Sequence, residues 1–224
     1  MNRISNFVCL ANSKKFSGRC IAGKMQDAKG NWVWVRPVGG AGGKEITEDD
    51  RKYNDGSGAQ VLDIINIVVK QVDIHPYQSE NVIIDSGYYW TKVGGWPVVN
   101  LQGLIDSPGA LWELGDSSTS GLNDRVGDVN LKVARQTLFL IEPQALKFSV
   151  GVEGAAFGGN KRKVRAWFNY RGVDYGLAVT DPILEAKYLA GPDGQYQNSS
   201  VKYMTVSLGE PFNGHAYKLV AAVF

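Results

Sequence analysis

The sequence predicts a mainly β protein: two OB-like five-stranded barrels with short helices and a Trp-rich connector. Three observations lead there. Residues 135–223 fall into five β-rich runs with a helix signal between the third and fourth, which is the element order of an OB barrel. Residues 4–85 repeat that order less cleanly. Between them, residues 86–131 carry Trp90, Trp96 and Trp112 among glycines and prolines, as suits a structured connector. The expected limits are therefore 1–86 for the first barrel, 87–131 for the connector packed between the halves, and 132–224 for the second barrel. The 224 residues suit two small domains, and 27 glycines with six tryptophans favour a turn-rich β fold.

In the second half, residues 135–142 and 146–152 read as one long strand broken at Pro143. The loop 153–160 leads into residues 161–170, where alternation is strongly β. Arg171 and Gly172 make a tight turn, and 173–179 returns as a third strand. Asp181 or Thr180 caps a helix with Pro182 at its first position and apolar Ile183, Leu184, Ala186 and Leu189. Gly191 and Pro192 end it, a polar loop spans 193–200, and strands at 201–208 and 215–223 complete the set. In the first half, strands are expected at 4–10, 19–24, 31–36, 61–69 and 81–85, with a polar loop over 11–18. A helix capped by Thr47 is expected over 48–52, and a further short helix over 101–105.

Bulk properties bound the function without naming it. The formal net charge is +2, and a pI near 8.4 is too mild for bulk electrostatics to declare a nucleic-acid binder. The apolar run at 7–11 is shorter than a signal peptide's hydrophobic stretch, and nothing approaches a membrane span. Cys9 and Cys20 lack zinc-ligand spacing and read as two free thiols in a reducing cytoplasm, although a disulfide between them is also compatible. The expectation is a cytoplasmic protein with no membrane partner, no metal and no cofactor.

The strongest local signal is the strand at 161–171, which holds five basic residues and no acid. At period two, Lys161, Lys163, Arg165, Trp167, Asn169 and Arg171 share one face, and Val164, Ala166, Phe168 and Tyr170 form a core stripe on the other. In an OB barrel this is strand two, part of the oligonucleotide-binding surface. Cations there would track phosphates and Trp167 would stack a base. Alternatively, the face is merely solvated, its cations paired with acids such as Asp174. A second platform is Trp32, Trp34 and Arg36, set against buried Val33 and Val35; indoles with an arginine can stack single strands, or can pack against the connector. Lys14, Lys15 and Arg19 surround Gly18 and form a candidate phosphate site, or simply a basic hairpin. Asn123, Asp124 and Arg125 either read a base edge or cap the connector.

Catalytic readings fare poorly. The stretch at 39–45 resembles a phosphate loop, but Val38 and Glu45 stand where the Walker pattern needs glycine and Ser or Thr. No G-x-S-x-G elbow occurs. His75 and His215 lie far apart in sequence, Asp181 is explained as a helix cap, and Asp63 as a polar strand residue; no catalytic residue is assigned.

The segments ANSKKFSGRCIAGK, WVWVRPV, VLDII, GLNDRV, KRKVRAWF, VTDPILE and SLGEPF resemble the bacterial dual OB-fold domain family nearly end to end. That resemblance implies two OB-like barrels, a role in recognising nucleic acid or nucleotides, and a place in bacterial defence systems. The family brings no catalytic residues to carry over. The expectation is a non-catalytic module for single-stranded DNA or RNA, or a nucleotide, contacted by Lys161, Lys163, Arg165, Trp167, Trp34 and Arg36. The alternatives are a scaffold with protein partners, or a nucleotide-processing enzyme or sensor with a site between the barrels.

Overall fold

The computed structural model describes residues 2–73, 75–131, 136–154, 159–197 and 200–224. The chain divides into two compact units, Met1–Leu104 and Ile105–Phe224.

The first unit is a closed barrel. Its strands are β1 (Asn2–Lys15), β2 (Gly18–Gln26), β3 (Trp32–Val38), β4 (Asp63–Val72) and β5 (Asn81–Ile84), joined in the order β1–β2–β3–β5–β4. The ring shuts because β1 serves two neighbours: Asn2 to Val8 pair with β4, and Val8 to Lys15 pair with β2. Register shifts between Ile4 and Phe7 and between Cys9 and Ala11 let one strand turn that corner. Asn6 sits in the first of them at φ 52°. Where β1 bends over β2, the backbones close in, and a Cβ on Gly23 would lie 2.0 Å from the Val8 carbonyl oxygen. Strands β3 and β5 run parallel, and β6 (Thr91–Gly95) adds to the outer edge of β4. Phe7, Cys9, Ile21, Ile46, Ile65, Ile67, Ile84 and Trp90 fill the interior.

The second unit repeats the plan with its first strand cut. β8 (Leu138–Ile141) pairs with β13 (Met204–Phe212), and β9 (Gln144–Val152) pairs with β10 (Arg162–Tyr170). Glu142 and Pro143 separate them, since a proline lacks the N–H a ladder needs. From β10 the order continues through β11 (Val173–Val179) and β14 (His215–Val223) to β13. The helix α2 (Pro182–Leu189) lies between the third and fourth barrel strands in sequence. Asp181 caps it, accepting from the amides of Ile183 at 2.9 Å and Leu184 at 3.1 Å. Its buried Leu184 and Tyr188 close the barrel end, with Tyr188 4.8 Å from the Phe148 ring.

The parallel pairing of β11 with β14 covers only Ala178 with Leu219 and Val179 with Val220. Beyond it the strands splay, and residues 122–127 fill the gap. Leu122 exchanges both backbone hydrogen bonds with Gly176 of β11, while β7 (Arg125–Gly127) pairs with His215 to Tyr217 of β14. A short α1 (Asp128–Leu131) follows β7.

Several sequence expectations change. Strand β1 runs through the expected loop at 11–18, because Asn12, Ser13, Lys14 and Lys15 have ladder partners on β2 despite their polarity. No helix forms over 48–52. Thr47 and Asp50 do cap each other, with Asp50 N donating to Thr47 Oγ1 at 3.1 Å and Thr47 N to Asp50 Oδ2 at 3.1 Å. Only one turn follows before Lys52 and Tyr53 enter isolated bridges with Gly58 and Trp90. The helix expected at 101–105 is a 3₁₀ segment, Val98–Leu104. Within the expected polar loop 193–200, β12 (Gly194–Gln197) adds an extra strand beside β9. Residues 87–104 belong to the first unit and 105–131 to the second. Parts of the expected segments at 135–142, 153–160 and 193–200 lie outside the described residues.

Candidate nucleic-acid interface

The alternation of β10 sorts its side chains as the sequence implies. Val164, Ala166, Phe168 and Tyr170 are buried in the core, and Lys163, Arg165, Trp167 and Asn169 take the outer face. Lys161 is exposed and precedes the strand. The five cations of 161–171 then part company. Arg162 donates from Nε to Asp193 at 2.6 Å and from its Nη atoms to the Leu189 and Gly191 carbonyls at the end of α2. Arg165 is only 5% exposed. Its Nε and Nη2 each donate to Glu153 at 2.9 Å, and Nη1 donates to Asp124 at 3.1 Å and to the Gly176 carbonyl at 2.7 Å. Arg165 therefore braces the framework and presents no guanidinium to solvent. Five cations less these two leave Lys161, Lys163 and Arg171, which are exposed and form no ion pair among the described residues. Asp174 neutralises none of them; its carboxylate accepts from Asn169 Nδ2 at 2.7 Å.

Register assembles a row across the sheet. Gln197 of β12 faces Lys147 of β9, Lys147 faces Trp167 of β10, and Trp167 faces Gly176 of β11. The Trp167 ring rests on Gly176, where an added Cβ would come within 2.5 Å of Cζ3, and its N–H donates to Ser149 Oγ at 2.8 Å. Glycine at 176 is thus what lets the indole lie down on the sheet. Above this row opens a groove of about 720 Å³, whose lining includes Leu122, Lys147, Trp167, Asn169, Asp174 and Gln197. An indole fixed at its N–H and backed by the sheet is pre-organised for stacking, and a lysine one strand away suits a phosphate.

Charge density along the sequence missed Lys147, Asn169 as a lining residue, and Gln197. The alternation of Leu146, Phe148 and Val150 on β9 already placed Lys147 on the face of Trp167. Gln197 lay in a stretch read as loop, although Gln195, Tyr196 and Gln197 also alternate.

Among the described residues, the first unit presents no comparable platform. Trp34 is half-buried, and across from it on β2 the Lys24 ammonium lies 5.1 Å over its ring and donates to the Leu104 carbonyl at 2.7 Å. Arg36 is 5% exposed, with Nη2 3.0 Å from Glu80 and Nη1 donating to Cys20 Sγ at 3.2 Å. Ala11, Ser13, Ala22 and Lys24 on the outer side of β1 and β2 are buried as well. Nor do the three cations near Gly18 converge. Lys15 donates to the Gly43 carbonyl, Arg19 pairs with Glu48 at 2.8 Å, and Lys14 alone is exposed.

The other polar clusters singled out in the sequence make their contacts within the chain. In the Gly-rich loop, Gly42 at φ 75° and Gly43 at φ 71° aim their amides at the buried Asp73 carboxylate, 3.2 and 3.0 Å away. The anion cradle that resembles a phosphate loop is filled by the chain's own side chain. Asp63 is buried, accepting from Tyr53 Oη at 2.7 Å and pairing with Lys92 at 2.5 Å. Burial, with Asp63 beside it, pushes the Tyr53 phenol up, and the same two causes push the Cys9 thiol up to about 12. Asn123, Asp124 and Arg125 serve the segment 115–127. Asn123 accepts from Gly115 N, Asp124 from Ser118 N and Oγ, and Arg125 donates to Asp116 at 2.7 Å. His215 lies 3.4 Å from Asp116. No group of three or more His, Cys, Asp or Glu among the described residues has metal-binding geometry, and no helix among them is long and apolar enough to cross a membrane.

No curated protein and no solved structure matches the chain. A family model described as a dual OB-containing domain matches residues 5–223. OB domains commonly bind nucleic acids. The closed ring of the first unit, the same strand order with a cut first strand in the second, and this end-to-end match lead to one assignment: the chain belongs to the dual OB-containing domain family.

Proposed function

We propose that the second barrel binds single-stranded nucleic acid, or a nucleotide, across the outer face of β12, β9, β10 and β11. The observation that carries this reading is Trp167, laid flat on Gly176 in an open groove with Lys147 beside it. Lys147, Lys161 and Lys163 meet phosphates, and Trp167 stacks a base. Arg165 braces β10 through Glu153 and Asp124 without touching ligand. Trp34, with Lys24 over its ring, and buried Arg36, paired with Glu80, are left out of this contact set.

Fluorescence anisotropy with labelled mixed-sequence single strands at two salt concentrations tests this. Trp167→Ala is expected to weaken binding about 5- to 150-fold, since a stacked base is worth ~1–3 kcal/mol. Lys147→Glu with Lys163→Glu is expected to weaken binding and flatten its salt dependence by roughly 0.7 in slope per lost phosphate contact. Absence of binding at low salt, or binding indifferent to all three substitutions, refutes the reading.

A further inference from the structure

We propose that the groove selects guanine, whose Watson–Crick edge meets the Asp174 carboxylate when the base lies on Trp167. This rests on the nucleic-acid reading above and adds the identity of the base.

The groove is electrically lopsided. On β9 it carries Lys147; on β11 it carries Asp174, an exposed carboxylate with no ion pair among the described residues. That carboxylate is held from behind. Asn169 Nδ2 donates to its Oδ1 at 2.7 Å, Gly172 N donates to Asn169 Oδ1 at 2.9 Å, and Asn123 Nδ2 donates to the Asp174 backbone carbonyl at 3.0 Å. These bonds fix the group and leave lone pairs for a ligand. An ionised carboxylate only accepts hydrogen bonds. It repels phosphate, so this end of the groove suits the donor edge of a base.

Position agrees with chemistry. Lys147 faces Trp167 across the β9–β10 ladder, and Asp174 lies on the next strand two residues along from Gly176, the partner of Trp167, so cation and anion stand on a diagonal of roughly 12 Å across the indole. That is comparable to the reach of a nucleotide from its phosphate to the far edge of its base. A phosphate at Lys147 and a base over Trp167 therefore bring the base edge to Asp174.

Only one common base satisfies a carboxylate twice. Guanine offers N1–H and N2–H₂ side by side, matched to two carboxylate oxygens. Adenine and cytosine each offer one amino group beside an acceptor nitrogen, and uracil or thymine offers one imino N–H between two carbonyls. In those three cases an acceptor would face the anion, which is repulsive.

The test uses a labelled oligothymidylate with one central guanine, adenine, cytosine, inosine or 7-deazaguanine, read by anisotropy on the full chain. Guanine and 7-deazaguanine, which share the Watson–Crick edge, are expected to bind about 5- to 150-fold tighter than adenine or cytosine. Inosine, lacking the N2 amino group, is expected to lose most of that gain. Asp174→Asn is expected to erase the preference while binding persists, and thermal melting checks that the variant folds. Competition by GMP as effective as by the guanine strand assigns the site to a free nucleotide, and competition by the strand alone assigns it to a polymer; either outcome supports guanine. Affinities within roughly twofold for all bases, where a bidentate contact predicts more, or a preference that survives Asp174→Asn, overturn the proposal alone. Failure of every oligonucleotide and of GMP to bind overturns the underlying reading of the site.

Discussion

Arg165 separates the two roles that a cation on β10 can play. Its guanidinium is closed in by Glu153, Asp124 and the Gly176 carbonyl through four hydrogen bonds of 2.7 to 3.1 Å. Arg165 and Asp124 have side chains only 6% and 3% exposed, and Glu153 16%. Arg165→Ala leaves Glu153 and Asp124 without their shared cation. Removing one partner of a buried pair costs ~3–5 kcal/mol. For a unit of this size that corresponds to a fall in melting temperature of roughly 10–20 °C. Arg165→Lys recovers little, because one ammonium cannot form the forked contact with Glu153 and still reach Asp124. Lys163→Ala, one pleat away on the same face but exposed, is expected to stay within about 0.5 kcal/mol of the parent. Urea titrations and thermal melts of the three variants decide the matter. An Arg165→Ala cost below about 1 kcal/mol, or one equal to that of Lys163→Ala, would refute the assignment of Arg165 to the framework.

The same approach extends to three other sites. Burial lowers the Lys218 ammonium from 10.5 to about 8, against the opposing pull of Asp124, Glu113 and Asp116. Between those values the unfolded chain holds the proton that the folded chain has released, so stability rises with pH by roughly 3 kcal/mol. Subtracting the urea-derived stability of Lys218→Met at each pH isolates this rise, and a flat difference between pH 7.5 and 10 counts against it. Cys9 is fully buried with its thiol pushed up to about 12, so iodoacetamide should label half-buried Cys20 first and Cys9 only in denaturant; equal labelling by mass spectrometry contradicts this. Gly23→Ala forces a methyl to within 2.0 Å of the Val8 carbonyl oxygen and 2.9 Å of the Phe7 ring, with an expected loss of ~1–3 kcal/mol in a urea titration, and no measurable loss would show that β1 can move away.

How much of this could be read in advance depends on the range of the interactions involved. The face of each residue on β10 follows from alternation, and Val164 to Tyr170 entered the core accordingly. The fate of Arg165 did not follow, because the acids that claim it stand 41 and 12 positions away and meet it only through the fold. Proline at 143 revealed the cut in the second barrel's first strand, since the missing N–H is a local property. The reach of β1 was harder to see: Asn12 to Lys15 carry no strand pattern of their own and are held extended by partners on β2. Lys147 was within reach of the alternation on β9, but its position opposite Trp167 is a matter of register, which sequence alone does not set.

The segment at 122–127 limits how the second barrel can be cut from the chain. Leu122 and β7 complete the ladders of β11 and β14, yet both come before the barrel's first strand in sequence. A fragment starting at residue 132 would bare the Gly176 backbone and the edge from His215 to Tyr217, and would deprive Arg165 of Asp124. Bare strand edges invite pairing with other chains. Such a fragment is an aggregation hazard, whereas one covering 105–224 carries its own seal. What reads as a linker in the sequence is, for this unit, a part of its own sheet.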